Sequence, residues 1–466
     1  MKKIFYLIAL LACFSGCTKE VDSYLEVFPL RPEIASGDPN ASFPNFKTPP
    51  YKIPEVKTEN AFNNKIYFDP GYKGKDSNGT KDKPYTDFNK QYLKGIPSNT
   101  AFLFKRGTSH PKIGRQVKEG DSYYPHMLYN NNLIGAYGEG PRPVIEGFFI
   151  MAGSHHLTIR DLDIKAESQA GYDAVVYIHR TKDGEYIFCS NITIAHCEIA
   201  GVHNPGNYHN PSPYPFFGIR FFCDNFTIYN SIIRDTWQHG IIAERGTDFK
   251  LVRNWIYDVV HQDQRAQDEG WPTKNSNDPW AYEHNNSTSK AGWGNCIFVA
   301  PYVNTTNHYV AGNLMDRSRY RWKAAYISGA DWDAPYSNLV LEYNTFIAPK
   351  ASKAGGVAVN WGAPRGSIFR KNVIDCSNGG TEGTQPALVG RSGRLKDHVA
   401  QNHPYGVYDN HMIRPHAGFS LTGNDKDEVS VKNKLFDSWT EYQTFLKTNE
   451  PVGSDIDPND FWQGKY

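Results

Sequence analysis

A nine-residue pattern recurs seven times between residues 156 and 374. Its copies are HLTIRDLDI from His156, NITIAHCEI from Asn191, NFTIYNSII from Asn225, DFKLVRNWI from Asp248, NHYVAGNLM from Asn307, NLVLEYNTF from Asn338 and GSIFRKNVI from Gly366. The fourth position is Ile159, Ile194, Ile228, Leu251, Val310, Leu341 and Phe369, apolar in every copy. The ninth is Ile164, Ile199, Ile233, Ile256, Met315, Phe346 and Ile374, again always apolar. Apolar residues at positions two and four share one face of a strand, because side chains alternate with period two. Position seven runs Leu162, Cys197, Ser231 and then Asn254, Asn313, Asn344 and Asn372. An asparagine recurring at a turn can bond the backbone and its stacked neighbours together.

The copies start 35, 34, 23, 59, 31 and 28 residues apart. The shortest interval is about one coil of a solenoid, and the longest is two coils or one coil with a large insertion. A second strand-like run precedes most copies: FGIRFF, HGIIAE, NCIFVA, AAYISG and GVAVNW. Each repeat therefore reads as strand, turn, strand, Asn turn, strand. No single repeat can bury its apolar face alone, but stacked repeats close a continuous core. Strands are also expected at NKIYFDP from Asn64, NTAFLFKRGT from Asn99 and LIGAYGEGPRPVIEG from Leu133, with a short helix-like stretch before residue 94.

This pattern resembles a right-handed, single-stranded parallel β-helix, an all-β solenoid with long loop insertions. The likeness covers about residues 64–420. The segments SNGTKDKP, KRGT and IGAYGEGPRPVIEG resemble the opening of β-helix proteins from glycan-degrading bacteria. That resemblance implies polysaccharide lyases, some glycoside hydrolases and some adhesins, and fold alone does not choose among them. The repeat pattern fades after Cys376. The run FDSWTEYQTFLKTN from Phe436 has helical period and an Asp in N-cap position, and is expected to cap the open end of the solenoid.

The N-terminus reads as an export signal. MKK is a positive start, IFYLIALLACF an apolar stretch too short to span a bilayer, and FSGC places Cys17 after small residues. This resembles a lipoprotein signal with Cys17 as the lipidated residue; LLAC, ending at Cys13, is a second match, and an ordinary secretory signal is the alternative. The chain is thus expected at the outer membrane, held by a lipid anchor. Seven prolines between residues 29 and 54 make residues 18–63 a linker. The expected organisation is signal 1–17, linker 18–63, β-helix 64–424 and C-terminal cap 425–466. Cys189, Cys197, Cys223, Cys296 and Cys376 show no CxxC spacing and read as buried thiols.

Fifty Lys and Arg against 49 Asp and Glu give a net charge of +1, which argues against a nucleic-acid partner. Aromatics at 14% suit sugar stacking, although most are expected to fill a β core. The expected partner is a polysaccharide, bound by a monomer.

Long insertions at 165–190, 200–216, 257–294 and 316–337 are expected to flank one face. Aligning strands on Gly218, Gly240, Asn295, Ala325 and Gly356 turns Arg220, Glu244 and Asn360 outward, with Asn360 in the column of Glu244. His239 and Arg245 border them. A uronate lyase must neutralise a carboxylate, remove the neighbouring proton and protonate the leaving oxygen. Arg220 and Arg245 are candidates for the first task, and His239, Lys323 and Arg245 for proton transfer. A hydrolase would need paired carboxylates, which Glu244 with Asp331 or Asp333 supplies. Asp331 and Asp333 also form a candidate Ca²⁺ site. Trp271, Trp332, Trp361 and His261 are candidates for binding sugar. The expected function is a lipid-anchored lyase cleaving an acidic glycan by β-elimination, with a glycoside hydrolase using Glu244 and Asp331 as the second reading. A glycan-binding protein without catalysis is the third.

Overall fold

The structure is a computed structural model. It describes residues 48–92, 95–114, 128–167, 174–179, 181–182, 185–202, 217–236, 239–259, 295–299, 307–317, 325–328, 338–348, 359–361, 368–377, 388–390, 406–413, 419–421 and 433–456. The chain forms a parallel β-helix. Three ladders of parallel strands run along it, and each full coil visits them in the same order.

The first ladder includes Phe148–Ile150, Ala174–Ile178, His239–Arg245, Asn295–Val299, Tyr326–Ser328, Val359–Trp361, Leu388–Gly390 and Phe419–Leu421. The 13-residue strand Phe217–Tyr229 belongs to this ladder at its start and to the second at its end. The second ladder begins at Asn64–Phe68 and Thr100–Lys105 and runs to Gly406–Tyr408. The third runs from Ser109–His110 to Lys434–Phe436.

The repeat sets the register. Ile159, Ile194, Ile228, Leu251, Val310, Leu341 and Phe369 pair in unbroken succession along the second ladder. Ile164 to Ile374 do the same along the third. All fourteen side chains are fully buried in one continuous core. A one-residue slip would turn a whole row outward, so burial itself holds the register.

Two bends in each coil explain the polar positions of the repeat. Position one (His156, Asn191, Asn225, Asp248, Asn307, Asn338) and position six (Asp161, His196, Asn230, Arg253, Gly312, Tyr343, Lys371) have positive φ. Asn and Asp adopt this left-handed backbone more readily than other side chains, and Gly more readily still. At Gly312 an added Cβ would also lie 2.3 Å from the Tyr51 ring. Directly after the second bend, position seven points inward. Asn254, Asn313, Asn344 and Asn372 each accept or donate to the next coil at 2.9–3.0 Å. The ladder runs on through Asn410 and Asn433, so two further coils follow Cys376 despite the fading pattern there. Strand pairing likewise extends past residue 424 to Phe436.

The C-terminal helix, Trp439–Leu446, is capped by Ser438, whose side chain accepts from the Glu441 amide, and not by Asp437. It does not lie over the solenoid end. Trp439 and Tyr442 pack on Val373, Ile413 and Phe436, on the outer flank of the third ladder. Leu435, at the end of the inward row, is 58% exposed. The opposite end is closed by the short helix Phe88–Gln91, whose Phe88 packs with Tyr92 on Phe68 and Phe102.

Residues 48–62, within the stretch read as linker, lie along the outside of the second ladder. Tyr51 packs on Val252, Ala311 and Tyr343, and its hydroxyl donates to Asp455, which also receives Arg253 at 3.2 Å. Lys57 reaches Asn131 at 2.8 Å, and Phe62 packs on Ala101, Leu103 and Leu133. The prolines at 49, 50 and 54 keep the chain around them out of helix and strand but allow extended packing. Tyr51→Phe, which deletes only the hydroxyl, should lower stability by about 1–2 kcal/mol in denaturant unfolding.

Candidate functional site

Arg220, Glu244 and Arg245 lie on neighbouring strands of the first ladder. Its pairing defines one column that runs through Phe149, Tyr177, Arg220, Ile242, Phe298, Ile327, Asn360, Val389 and Ser420. Alternation sends Ile219, Phe221, Ile241 and Ala243 into the core and turns Arg220 and Ile242 outward. The strand shifts register between Phe221 and Phe222, where Phe222 pairs with Arg245. This irregularity adds Glu244 to its strand and re-aims the side chains beside it.

Arg220 and Glu244 meet. The guanidinium lies 2.8 Å from one Glu244 oxygen and 3.1 Å from the other. Three rings surround the cation: Phe217 at 5.5 Å, Tyr177 at 5.6 Å and Phe222 at 5.6 Å. Glu244 is 5% exposed, so this is a largely desolvated pair and a fixed element of the face. Arg245 is half-buried and turns to the Phe188 ring, 4.6 Å from its centroid.

His239 is not on the exposed face, contrary to the sequence expectation. It is 2% exposed and stacked between Phe217 at 5.5 Å and Phe298 at 4.9 Å. Its Nδ1 accepts the Asn295 backbone N–H at 3.3 Å. A backbone N–H can only donate, so the proton of the neutral ring sits on Nε2. The Nδ1 lone pair of that tautomer is engaged by the Asn295 amide, and the ring is shielded from solvent by its two aromatic neighbours. Gly240, next to it in the strand, is closely packed: a Cβ there would lie 2.7 Å from the Cys296 carbonyl oxygen.

The expected strand alignment is corrected at two coils. Ile241 pairs with Ile297 and Ile297 with Tyr326, so Cys296 and not Asn295 stands opposite Ala325. Tyr326 pairs with Val359, which moves Asn360 out of the Glu244 column and into that of Arg220 and Ile242. Two neighbouring apolar residues, Cys296 and Ile297, are both buried, and period alone does not separate them. Trp361 pairs with Gly390 in the strand that carries Asn360. Lys323, Trp271, His261, Asp331, Trp332, Asp333 and Cys17 lie outside the described residues. Among the described residues no group of three or more His, Cys, Asp or Glu is placed to hold a metal ion, and no helix is long and apolar enough to cross a membrane.

Several residues of the face went unnoticed in the sequence. Phe149, Tyr177 and His179 form a cluster one and two coils before Arg220, with centroids 5.4–5.7 Å apart. They lie outside the seven copies, and the strand of Tyr177, AVVYI, reads as a buried apolar run. The signal that finds them is the pairing of Tyr177 with Arg220.

No family model matches the chain. No curated relative matches it either. Similar solved structures are the GH136 lacto-N-biosidase from Eubacterium ramulus, at 10% identity and a TM-score of 0.38, covering 80% of this chain and 68% of that one. Pectate lyase Pel9A is similar at 11% identity and 0.34, covering 79% and 78%. PfbA, a surface adhesin of Streptococcus pneumoniae, is similar at 11% and 0.35, covering 75% and 72%. Likenesses of this size carry nothing about substrate or reaction.

Proposed function

We propose that the outer face of the first ladder binds an acidic glycan and that the protein cleaves it by β-elimination. The observation that carries this reading is Arg220, a guanidinium set among three aromatic rings on an outward strand face. Rings offer a surface to the C–H face of a sugar, and a guanidinium's positive charge attracts a carboxylate. Glu244 orients Arg220 through the ion pair, and Arg245 adds a second positive charge nearby. In elimination, neutralising the uronate carboxylate stabilises the charge that develops when the adjacent proton leaves. Arg stays protonated in proteins, so Arg220 and Arg245 supply charge, and proton transfer falls to Lys323. Asp331 and Asp333 are the residues we assign to Ca²⁺, and Cys17 to a lipid anchor at the outer membrane.

Hydrolysis is the less favoured reading. A general acid must present a free carboxylic acid, whereas Glu244 is engaged by Arg220 at 2.8 Å.

The test follows ultraviolet absorbance and reducing ends together over acidic and neutral polysaccharides, with and without Ca²⁺. Elimination leaves a conjugated double bond, so both signals rise; reducing ends alone move the reaction to hydrolysis. Arg220→Ala is expected to lower kcat/KM by about 100-fold or more, as loss of one charge-stabilising donor does. A variant with unchanged activity removes Arg220 from the site.

A further inference from the structure

We propose that the two ends of the described chain form one axial clasp, latched where the Tyr51 hydroxyl donates to Asp455, and that this latch couples the first coils of the solenoid to the last. In a solenoid each repeat contacts only its neighbours, so unfolding can begin at either end and stay there. The clasp joins coils that stacking alone leaves independent.

Residues 51–62 form one half of it. Tyr51 packs on Val252, Ala311 and Tyr343, and the Lys52 amide donates to the Tyr309 hydroxyl at 3.1 Å. Arg160 donates to the Lys57 carbonyl at 3.3 Å, Lys57 reaches Asn131, and Phe62 packs on Ala101, Leu103 and Leu133. Strand pairing leads from the strand of Ala311 back to that of Leu103 in six steps. Six coil spacings are about 29 Å. Extended chain with the short 3-10 turn Glu59–Ala61 reaches about 32 Å between residues 51 and 62. The segment therefore has little slack, and it ties Tyr51 to coils far from it along the axis.

The C-terminal tail forms the other half and steps back along the second bend. Val452 packs with Trp439 and Tyr442 of the helix on Val373, Ile413 and Phe436. The Gly453 amide donates to the Lys371 carbonyl at 3.0 Å, the Ser454 amide to the Thr345 hydroxyl at 2.9 Å and the Ser454 hydroxyl to the Gly312 carbonyl at 2.6 Å. Asp455 then receives Arg253 at 3.2 Å, and Tyr51. Lys371, Gly312 and Arg253 are position-six residues of three different copies, so the tail crosses one coil after another. Gly453 permits the close approach: its φ is 92°, and a Cβ there would lie 2.7 Å from Val373. Tyr51 is buried and the Asp455 side chain little exposed, so the latch joins a shielded donor to a charged acceptor.

The experiment is amide hydrogen exchange on the purified full chain under native conditions, read by mass spectrometry, for the unaltered protein, Tyr51→Phe and Asp455→Ala. Tyr51→Phe keeps the ring and its packing and deletes only the donor. It is expected to speed exchange about tenfold in the helix Trp439–Leu446, as loss of one hydrogen bond to a charged group does. Asp455→Ala is expected to speed exchange by a similar factor at the opposite end, in Asn64–Phe68 and Thr100–Lys105. The double variant should be no faster than the faster single variant, because both changes open the same latch. Faster exchange confined to the coils of Arg253, Gly312 and Tyr343, with both ends at their unaltered rates, overturns the coupling. A double variant in which the two factors multiply overturns it as well. Should Asp455→Ala fail to fold, exchange at the helix in Tyr51→Phe decides.

Discussion

Asn313→Ala is expected to lower the unfolding free energy by about 3–5 kcal/mol, more than any single change on the outer face of the first ladder. The Asn313 amide nitrogen donates to the Leu251 carbonyl at 2.7 Å and to Asn344 Oδ1 at 2.9 Å. Its oxygen accepts the Asn254 backbone N–H at 2.9 Å and the Asn254 side chain at 3.0 Å. All these groups are buried, so alanine leaves several donors and acceptors with neither protein nor solvent. Each such orphan is unfavourable by about 1–3 kcal/mol, and partial relaxation keeps the sum below simple addition. Asn313→Asp tests the same point differently. It keeps shape and acceptor but removes the two donors, and should destabilise by a comparable amount. Thermal and urea unfolding read both variants. A loss within about 0.5 kcal/mol, the range of ordinary surface changes, would refute the ladder's role.

Asp375 should make stability fall as pH rises. The carboxyl is fully buried beneath the C-terminal helix, and burial, with a smaller contribution from Asp316, pushes it up to about 7. Ser377 and the Trp439 indole N–H donate to it and oppose that rise without cancelling it. The folded state thus keeps a proton that the unfolded chain loses near the ordinary aspartate value of 3.8. Stability from this group is full below about 4, declines between about 4 and 7 and is flat above, a change on the order of 4 kcal/mol. Three buried histidines work in the opposite direction. Burial lowers His110 to about 4, His308 to about 3 and His411 to about 4. They stay neutral in the fold while the unfolded chain takes up protons below about 6.5, so their contribution is lost as pH falls. The informative quantity is therefore a difference. Unfolding free energies of the unaltered protein minus those of Asp375→Asn should decline across pH 4–7, because Asn cannot ionise. A flat difference would show that Asp375 does not change protonation on folding.

The coil repeat was legible because burial acts on every copy in the same way. An inward residue at positions four and nine must be apolar, and an inward residue at position seven must be able to bond along the stack, so Ile228 and Asn313 carry their roles openly. His411 and Asn410 escaped because their coil, VYDNHMI, lies after a long interruption in the run of copies. Arg220 and Glu244 were legible as outward residues of adjacent strands, and they do meet.

His239 was expected to be exposed, but rings from two neighbouring coils, Phe217 and Phe298, cover it, and strand period says nothing about such cover. Asn360 was misplaced because Val357 and Val359 are equally apolar and two residues apart, and only backbone pairing puts Val359 opposite Tyr326. Tyr177 was invisible as a site residue because its strand looks wholly buried, and its significance comes from lying beside Arg220, 43 positions away in sequence. Repetition alone thus determined the solenoid, its register through the copies and its polar ladder, since each copy restates one local rule. The tertiary structure decided which side chains share the outer face, because that depends on where each bend and each bulge resets the alternation.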